Sequence, residues 1–295
     1  MNDMLVPDHL RMISELEVDS SLFEPDQMRK RLEVLDELDA YFAESGPEPF
    51  IEDLDRLAIY DRAKAIRSRL EAVNSAIYQS IRSDVRKGSP RHELLRWIQI
   101  CGGQERIPPS GLKYDHLDEL ICGVLQLREP ELANSRCKPG MVFYQPTPAR
   151  YILDFIRISG LYKDDVLVDI GSGLGHVPML AFILTGARSI GIEANPAYVT
   201  SARICARALG VGRVRFVQRD ATHASLSTGT VFYMYTPFTG TLLKKMLHKL
   251  RMESAKRRIK VCTLGPCALV VQKEPWLRAS EAADEDRITC FQSNA

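Results

Sequence analysis

A short apolar run ending in an acid, followed by three glycines at alternate positions, constrains this chain more than any other feature: Val166-Leu167-Val168-Asp169-Ile170-Gly171-Ser172-Gly173-Leu174-Gly175. The run reads as a buried strand, and the glycines as a sharp turn that opens a helix. A side chain there would forbid the required backbone angles or fill the space into which a ligand must come close. Glu193 follows twenty-four positions after Asp169, at the end of a second apolar run, Ser189-Ile190-Gly191-Ile192. An acid at that place is set to accept hydrogen bonds from two ribose hydroxyls, so the pair of features reads as a nucleotide-cofactor site. In the dinucleotide pattern G-x-G-x-x-G the last glycine would fall at 176, but that residue is His176 and the glycine comes one position earlier. The spacing therefore favours a single nucleoside over a pyrophosphate-linked pair.

Strands and helices alternate from here on, which predicts a parallel sheet with right-handed crossovers and helices on both faces. Arg215-Phe216-Val217-Gln218-Arg219-Asp220-Ala221 reads as a third strand ending in an acid, and 231–238 as a fourth running into the tip Tyr235-Thr236-Pro237-Phe238. Pro178 stands in the first turn after the glycine loop, and Asn195-Pro196 offers a cap and a first-turn proline to the next helix, which Gly210 ends. A helix over 149–158 is expected before the first strand. Residues 260–264, 268–272 and 288–292 are expected to complete the sheet, the last two as an antiparallel hairpin.

The first part of the chain has a different character. From about 24 to 87 it is rich in Leu, Glu, Arg and Ala and is broken by Ser45-Gly46-Pro47 and Pro49, as in a helical hairpin. Ile66, Leu70, Val73, Ile77 and Ile81 form an apolar stripe on its second helix. That stripe serves either packing within the chain or a homodimer; at fewer than three heptads it favours the former. Shorter helices are expected near 92–101 and 114–127. Pro139-Gly140 marks the predicted boundary between an all-helical domain, 1–138, and a cofactor-binding domain, 139–295. Residues 1–90 hold 12 Lys and Arg against 19 Asp and Glu, net −7, and the remainder holds 27 against 19, net +8. Such asymmetry fits docking between the halves or a charged partner. Seven cysteines without a C-x-x-C pair indicate neither a zinc site nor a disulfide framework, and predict reduced thiols and a cytoplasmic protein. The N-terminus lacks the regions of a signal peptide, and no run approaches a membrane span.

The loop Asp169 to Gly175, the acid at Glu193 and the strand-end acid Asp220 together resemble the first motifs of class I S-adenosylmethionine-dependent methyltransferases. The order D-x-G-S-G-x-G with Gly191-Ile192-Glu193 is most similar to the non-SET histone lysine methyltransferases and their bacterial relatives, over roughly residues 141–265. That resemblance implies a Rossmann-like α/β sheet with a terminal antiparallel hairpin, here preceded by an all-helical N-terminal domain. It implies S-adenosyl-L-methionine as cofactor, held by Gly171, Ser172, Gly173 and Gly175, with loop and helix amides toward its carboxylate. Asp169 would stand on the ammonium side, Glu193 at the ribose, and Asp220 with Ala221 at the adenine. Tyr144 and Thr147, in Tyr144-Gln145-Pro146-Thr147-Pro148, fall where relatives place a lid; the stretch also reads as a proline-stiffened linker.

The tip Tyr235, Thr236, Pro237 and Phe238 resembles the [N/D/S]-P-P-[Y/F] motif of amino-group methyltransferases, with Thr236 in place of the usual amide and one proline in place of two. It implies an acceptor nitrogen on a protein or small molecule, and the same residues also read as an ordinary strand-ending turn. His176 fits a packing role better than that of a general base. Eight basic residues between Lys244 and Lys260, against the single acid Glu253, fit either a solvated helix, a mate for the acidic hairpin, or nucleic-acid phosphates. Three alternatives accompany the main reading: a nucleic-acid methyltransferase using that basic segment, a small-molecule O-methyltransferase, and a non-catalytic cofactor-binding scaffold.

Overall fold

A computed structural model describes residues 5–46, 54–88, 90–102, 114–130, 142 and 144–294. The helices are α1 (Leu5–Val18), α2 (Met28–Ser45), α3 (Leu54–Arg86), α4 (Pro90–Gly102) and α5 (His116–Leu125) in the first part. They are followed by α6 (Ala149–Ser159), α7 (His176–Thr185), α8 (Pro196–Leu209), α9 (Gly240–Ser254) and α10 (Cys267–Val271). The strands are β1 (Val166–Ile170), β2 (Arg188–Glu193), β3 (Val214–Gln218), β4 (Val231–Tyr235), β5 (Lys260–Leu264), β6 (Leu277–Ala279) and β7 (Thr289–Ser293). They form one sheet in the order β3-β2-β1-β4-β5-β7-β6, with β1 to β5 parallel and β7 antiparallel to both its neighbours. This is the Rossmann-like α/β sheet with an antiparallel end that the resemblance implies. The order reverses at β1 and β4, so the carboxyl ends of these strands open a crevice, the place where such sheets bind ligands.

The local signals explain the boundaries. Asn195 accepts from Ala197 N at 2.9 Å and caps α8, whose far end closes on Gly210 in the left-handed conformation. In α5, Asp115 and Asp118 form a reciprocal capping box. The first arm of the terminal hairpin differs from expectation. Residues 268–272 lie mostly in the short helix α10, and Leu277–Ala279 pairs with β7 instead. A short apolar run has no period of its own to tell helix from strand. Here Gly265, at φ +80°, ends the strand two residues before the helix begins.

The long helix α3 joins the two parts of the chain. Its first half, through Ile59, Ile66 and Leu70, packs with α1 and α2; its second half, through Ile77, Ile81 and Val85, shares one core with α4, α5 and the α7–α8 side of the sheet. Ile66, Leu70 and Ile81 are at most 3% exposed, so the predicted stripe is occupied within a single chain. Arg31 of α2 is fully buried, donating to the carbonyls of Leu22, Glu24 and Pro25 and to Asn74 Oδ1, and so ties the turn before α2 to α3. The predicted boundary at Pro139-Gly140 lies outside the described residues. The shared core means that the helical part is docked on the sheet rather than tethered to it.

The cysteines correct an expectation. Cys262 of β5 and Cys290 of β7 are joined as a disulfide, where reduced thiols are predicted. The antiparallel register sets these two residues opposite each other, a pairing that spacing along the chain does not reveal. The cysteines thus cease to argue for a reducing compartment. No described helix is long and apolar enough to cross a membrane.

Candidate functional site

A cavity of about 620 Å³ opens at the carboxyl ends of β1, β2 and β4. Asp169, Gly171, Ser172, Glu193, Asp220, Ala221, Tyr144, Thr147 and the tip residues Tyr235, Thr236, Pro237 and Phe238 all line it, whereas Gly173 and Gly175 do not. Residues scattered over nearly a hundred positions therefore meet because five elements end at one crevice.

Asp169 dominates the electrostatics. It is 3% exposed at the end of β1, and no described side chain or amide donates to its carboxylate. Burial, with the nearby charge of Glu193, holds its pKa well above the usual carboxylate range. A buried acid without a counter-charge, facing a cavity, is a place for a cationic group. Glu193 is held differently: Oε2 accepts from Gly173 N at 3.0 Å and Oε1 from Asn195 N at 2.7 Å. These bonds fix the carboxylate in one orientation, and each oxygen keeps a second lone pair for a hydroxyl donor. Ser172 Oγ is buried beside them without a partner. Asp220 Oδ1 accepts from Thr222 N and Thr222 Oγ1, which makes it the cap of a 3-10 turn at Ala221–His223 as well as a cavity wall.

The glycine loop is a hub as much as a cradle. A Cβ on Gly171 would stand 2.6 Å from Pro237 Cβ, and one on Gly173 would stand 2.0 Å from the Tyr144 ring. Both residues have positive φ, +84° and +49°. The space that glycine leaves at 173 is thus filled by an aromatic ring of the chain itself, where the sequence reading places ligand. The loop amides are also engaged internally: Gly171 N and Ser172 N donate to Ile192 O, and Gly175 N to Ser172 O. With Gly173 N on Glu193, these four loop amides are spent within the fold.

Tyr144 belongs to a strap across the cavity. Val142 N donates to Pro237 O at one end, the Tyr144 ring lies 4.7 Å from that of Tyr198, and Thr147 Oγ1 is 3.3 Å from Tyr233 Oη. Tyr114 Oη donates to Pro146 O and supports the strap from outside. His176, the first residue of α7, sits 3.4 Å from Tyr144 Oη through Nδ1 and 4.0 Å from Cys122 Sγ through Nε2. Burial pushes its pKa down to about 4, so it is a neutral packing group under the strap at ordinary pH. Nothing in the sequence pattern links Tyr114 or Cys122 to the site, since α5 reaches it only through tertiary packing.

The strand tip uses its polar atoms on itself. Thr236 has φ +35°, uncommon and strained for a β-branched residue. Its hydroxyl donates to Leu264 O at 3.0 Å and accepts from Cys267 N at 3.2 Å, bridging the ends of β4 and β5. With Pro237 O engaged by the strap, the side-chain polar group of the tip left without a partner is the Tyr235 hydroxyl. It is buried without a partner, and burial pushes its pKa up to about 12. Phe238 is buried in the core beneath and reaches the cavity wall.

Part of the 244–260 basic segment is also turned inward. Lys249 Nζ donates to the carbonyls of Ala221, Thr222 and Ala224, Arg257 to those of Gly229 and Leu226, and Lys260 to Ser159 O. Lys256 and Arg257 pair with Glu253. Among the described residues no group of three His, Cys, Asp or Glu side chains is placed to hold a metal ion.

The chain is similar in structure to an RNA methyltransferase of Salinibacter ruber solved with S-adenosyl-L-homocysteine, at 24% identity and a TM-score of 0.39, over 50% of this chain and 92% of that one. It is similar to the methyltransferase yhhF of Escherichia coli at 18% identity and a TM-score of 0.43, over 54% and 91%. A precorrin-6y C5,15-methyltransferase of Geobacter metallireducens matches at 14% identity and a TM-score of 0.41, over 57% and 94%. No protein-family model and no curated protein matches the sequence.

Proposed function

We propose that this chain is an S-adenosyl-L-methionine-dependent methyltransferase that methylates a nitrogen of a protein or small-molecule acceptor. The observation that carries the reading is Asp169, a buried carboxylate with no counter-charge among the described residues, in a cavity that also holds an oriented acid, Glu193. The cofactor is cationic at its sulfonium and its ammonium and carries a ribose diol. Asp169 answers an ammonium, and Glu193 is held to take two hydroxyl hydrogens. The rings of Tyr144, Tyr198, Tyr233 and Tyr235 offer the π-faces that attract a cation. Tyr144 and Thr147 form the wall on the strap side, and Asp220 with Ala221 forms the wall for a base.

When bound, the cofactor supplies a methyl group on a sulfonium centre. The chain's own part is to exclude water with the strap and to orient an acceptor nitrogen that carries a free lone pair. Because the Thr236 hydroxyl and Pro237 O are spent within the fold and the Tyr235 hydroxyl is buried, the Tyr235 ring, which lines the cavity, packs against the acceptor. Thr236 then acts by holding the tip in place. Calorimetry tests the cofactor: S-adenosyl-L-methionine or its demethylated product binds and NAD does not. Transfer of a radioactive methyl group into a fractionated cell extract identifies the acceptor. Tight cofactor binding with no methyl transfer into any fraction would instead leave a cofactor-binding scaffold.

A further inference from the structure

From Asn195 to Arg219 the chain contains five arginines, Arg203, Arg207, Arg213, Arg215 and Arg219, and no Asp, Glu or Lys. All five are exposed. They gather along one side of the molecule, because α8 lies against β3 and β3 is an edge strand of the sheet. Arg203, Arg207 and Arg215 line an open groove of about 760 Å³ between the helix and that edge. Arg203 spans it, donating through Nε and Nη2 to Phe216 O at 3.1 and 2.7 Å, while Arg207 Nε donates to Arg203 O. Arg86 at the end of α3 reaches the groove's base through Ala208 O. The bonds of Arg86, Arg203 and Arg207 go to carbonyls, and among the described residues no carboxylate forms a salt bridge with the five.

The row also has direction. At about 3.3 Å per strand residue, Arg213 and Arg215 stand roughly 6.6 Å apart, and Arg219 about 13 Å beyond Arg215. Arg219 lines the cofactor cavity, so the row ends at its rim. Edge strands carry charges to repel other strands, but lysine is the usual guard and a few charges suffice. A line of guanidiniums differs: each presents a planar fork that matches phosphate oxygens, and the line matches a repeating anion rather than a single one.

We propose that the α8–β3 groove binds the phosphodiester backbone of a nucleic acid. The proposal stands apart from the methyl-transfer reading, since the groove needs no cofactor.

The test is fluorescence anisotropy of a labelled single-stranded RNA of mixed sequence on the full chain, titrated over a range of salt concentrations. R207Q/R215Q removes two exposed cations outside the cavity. With about 0.7 counterions per contact, the slope of log affinity against log salt falls by about 1.4, and binding at 0.1 M salt weakens about 25-fold. R207K/R215K keeps the charge and most of the binding. R213Q, with an expected slope change of about 0.7, serves should the double variant fail to fold. Absence of binding by the unaltered chain, or an unchanged slope in the variants, overturns the proposal and leaves edge protection. Polyglutamate competing as well as RNA also overturns it and points to an acidic protein. Calorimetry with S-adenosyl-L-homocysteine is run alongside; its failure would count against the methyl-transfer reading alone.

Discussion

Replacing Asp169 by Asn separates the demands of folding from those of binding. The side chains match in shape, but the amide carries no charge into a site that is 3% exposed and lacks a counter-ion. In the unliganded protein the ionised carboxylate is a cost, and replacing the buried charge by a neutral amide of the same shape relieves about 1–3 kcal/mol. At about 2–4 °C per kcal/mol for a chain of this size class, the variant's Tm rises by several degrees. The sign has a pH signature. The folded-state pKa lies above the unfolded value of 3.8, so the folded state holds the proton longer, and stability falls as pH rises from that value through the folded pKa. The Asn variant lacks this fall, so its advantage is absent in acid and grows toward neutrality. Binding moves the other way: loss of one charge-assisted contact to an ammonium costs about 1.5–3 kcal/mol, a Kd roughly 10- to 150-fold weaker. Thermal melts across pH, with calorimetry against S-adenosyl-L-homocysteine, measure both. A variant that melts lower at neutral pH, or that binds as tightly as the parent, would refute the assignment of Asp169 as the cation's partner.

Other substitutions probe the remaining walls. Glu193→Ala removes a carboxylate held by Gly173 N and Asn195 N, and calorimetry should show a loss of roughly 2–4 kcal/mol in cofactor affinity; unchanged affinity would place the ribose elsewhere. Gly173→Ala drives a Cβ into the Tyr144 ring and lowers both Tm and affinity, whereas adding Tyr144→Ala recovers part of the Tm loss; additive losses would show that ring and loop do not touch. Thr236→Val keeps the shape but leaves Cys267 N unpaired, and lowers stability by about 1–3 kcal/mol in denaturant melts. Thr236→Asn suits the positive φ and retains an acceptor for Cys267 N, so its stability and turnover survive; a collapse of turnover with normal stability would return Thr236 to the acceptor site.

Much of the sheet was legible because its signals are local. β1 and β5 begin and end where an apolar run meets a turn, and α8 lies between an Asn-Pro cap and a glycine, so neighbouring residues alone decide these elements. Asp169, Glu193, Asp220 and Tyr235 were legible for a related reason: each stands at or just past the end of a parallel strand, and parallel strands present their carboxyl ends together. What escaped was decided by contacts between distant segments. Residues 268–272 had no period to separate helix from strand, and the Cys262–Cys290 pair depends on a register set by β7. The glycine loop shows the limit most clearly. Its spacing announces a close approach, yet not what approaches, and at Gly173 that is Tyr144 from a strap twenty-nine positions earlier. Thr236 follows the same rule, since its strained backbone and engaged hydroxyl arise only where β5 and α10 meet it. The motif therefore locates the cavity, while the engagement of its atoms is settled by the strap, the α10 turn and the helices packed behind them.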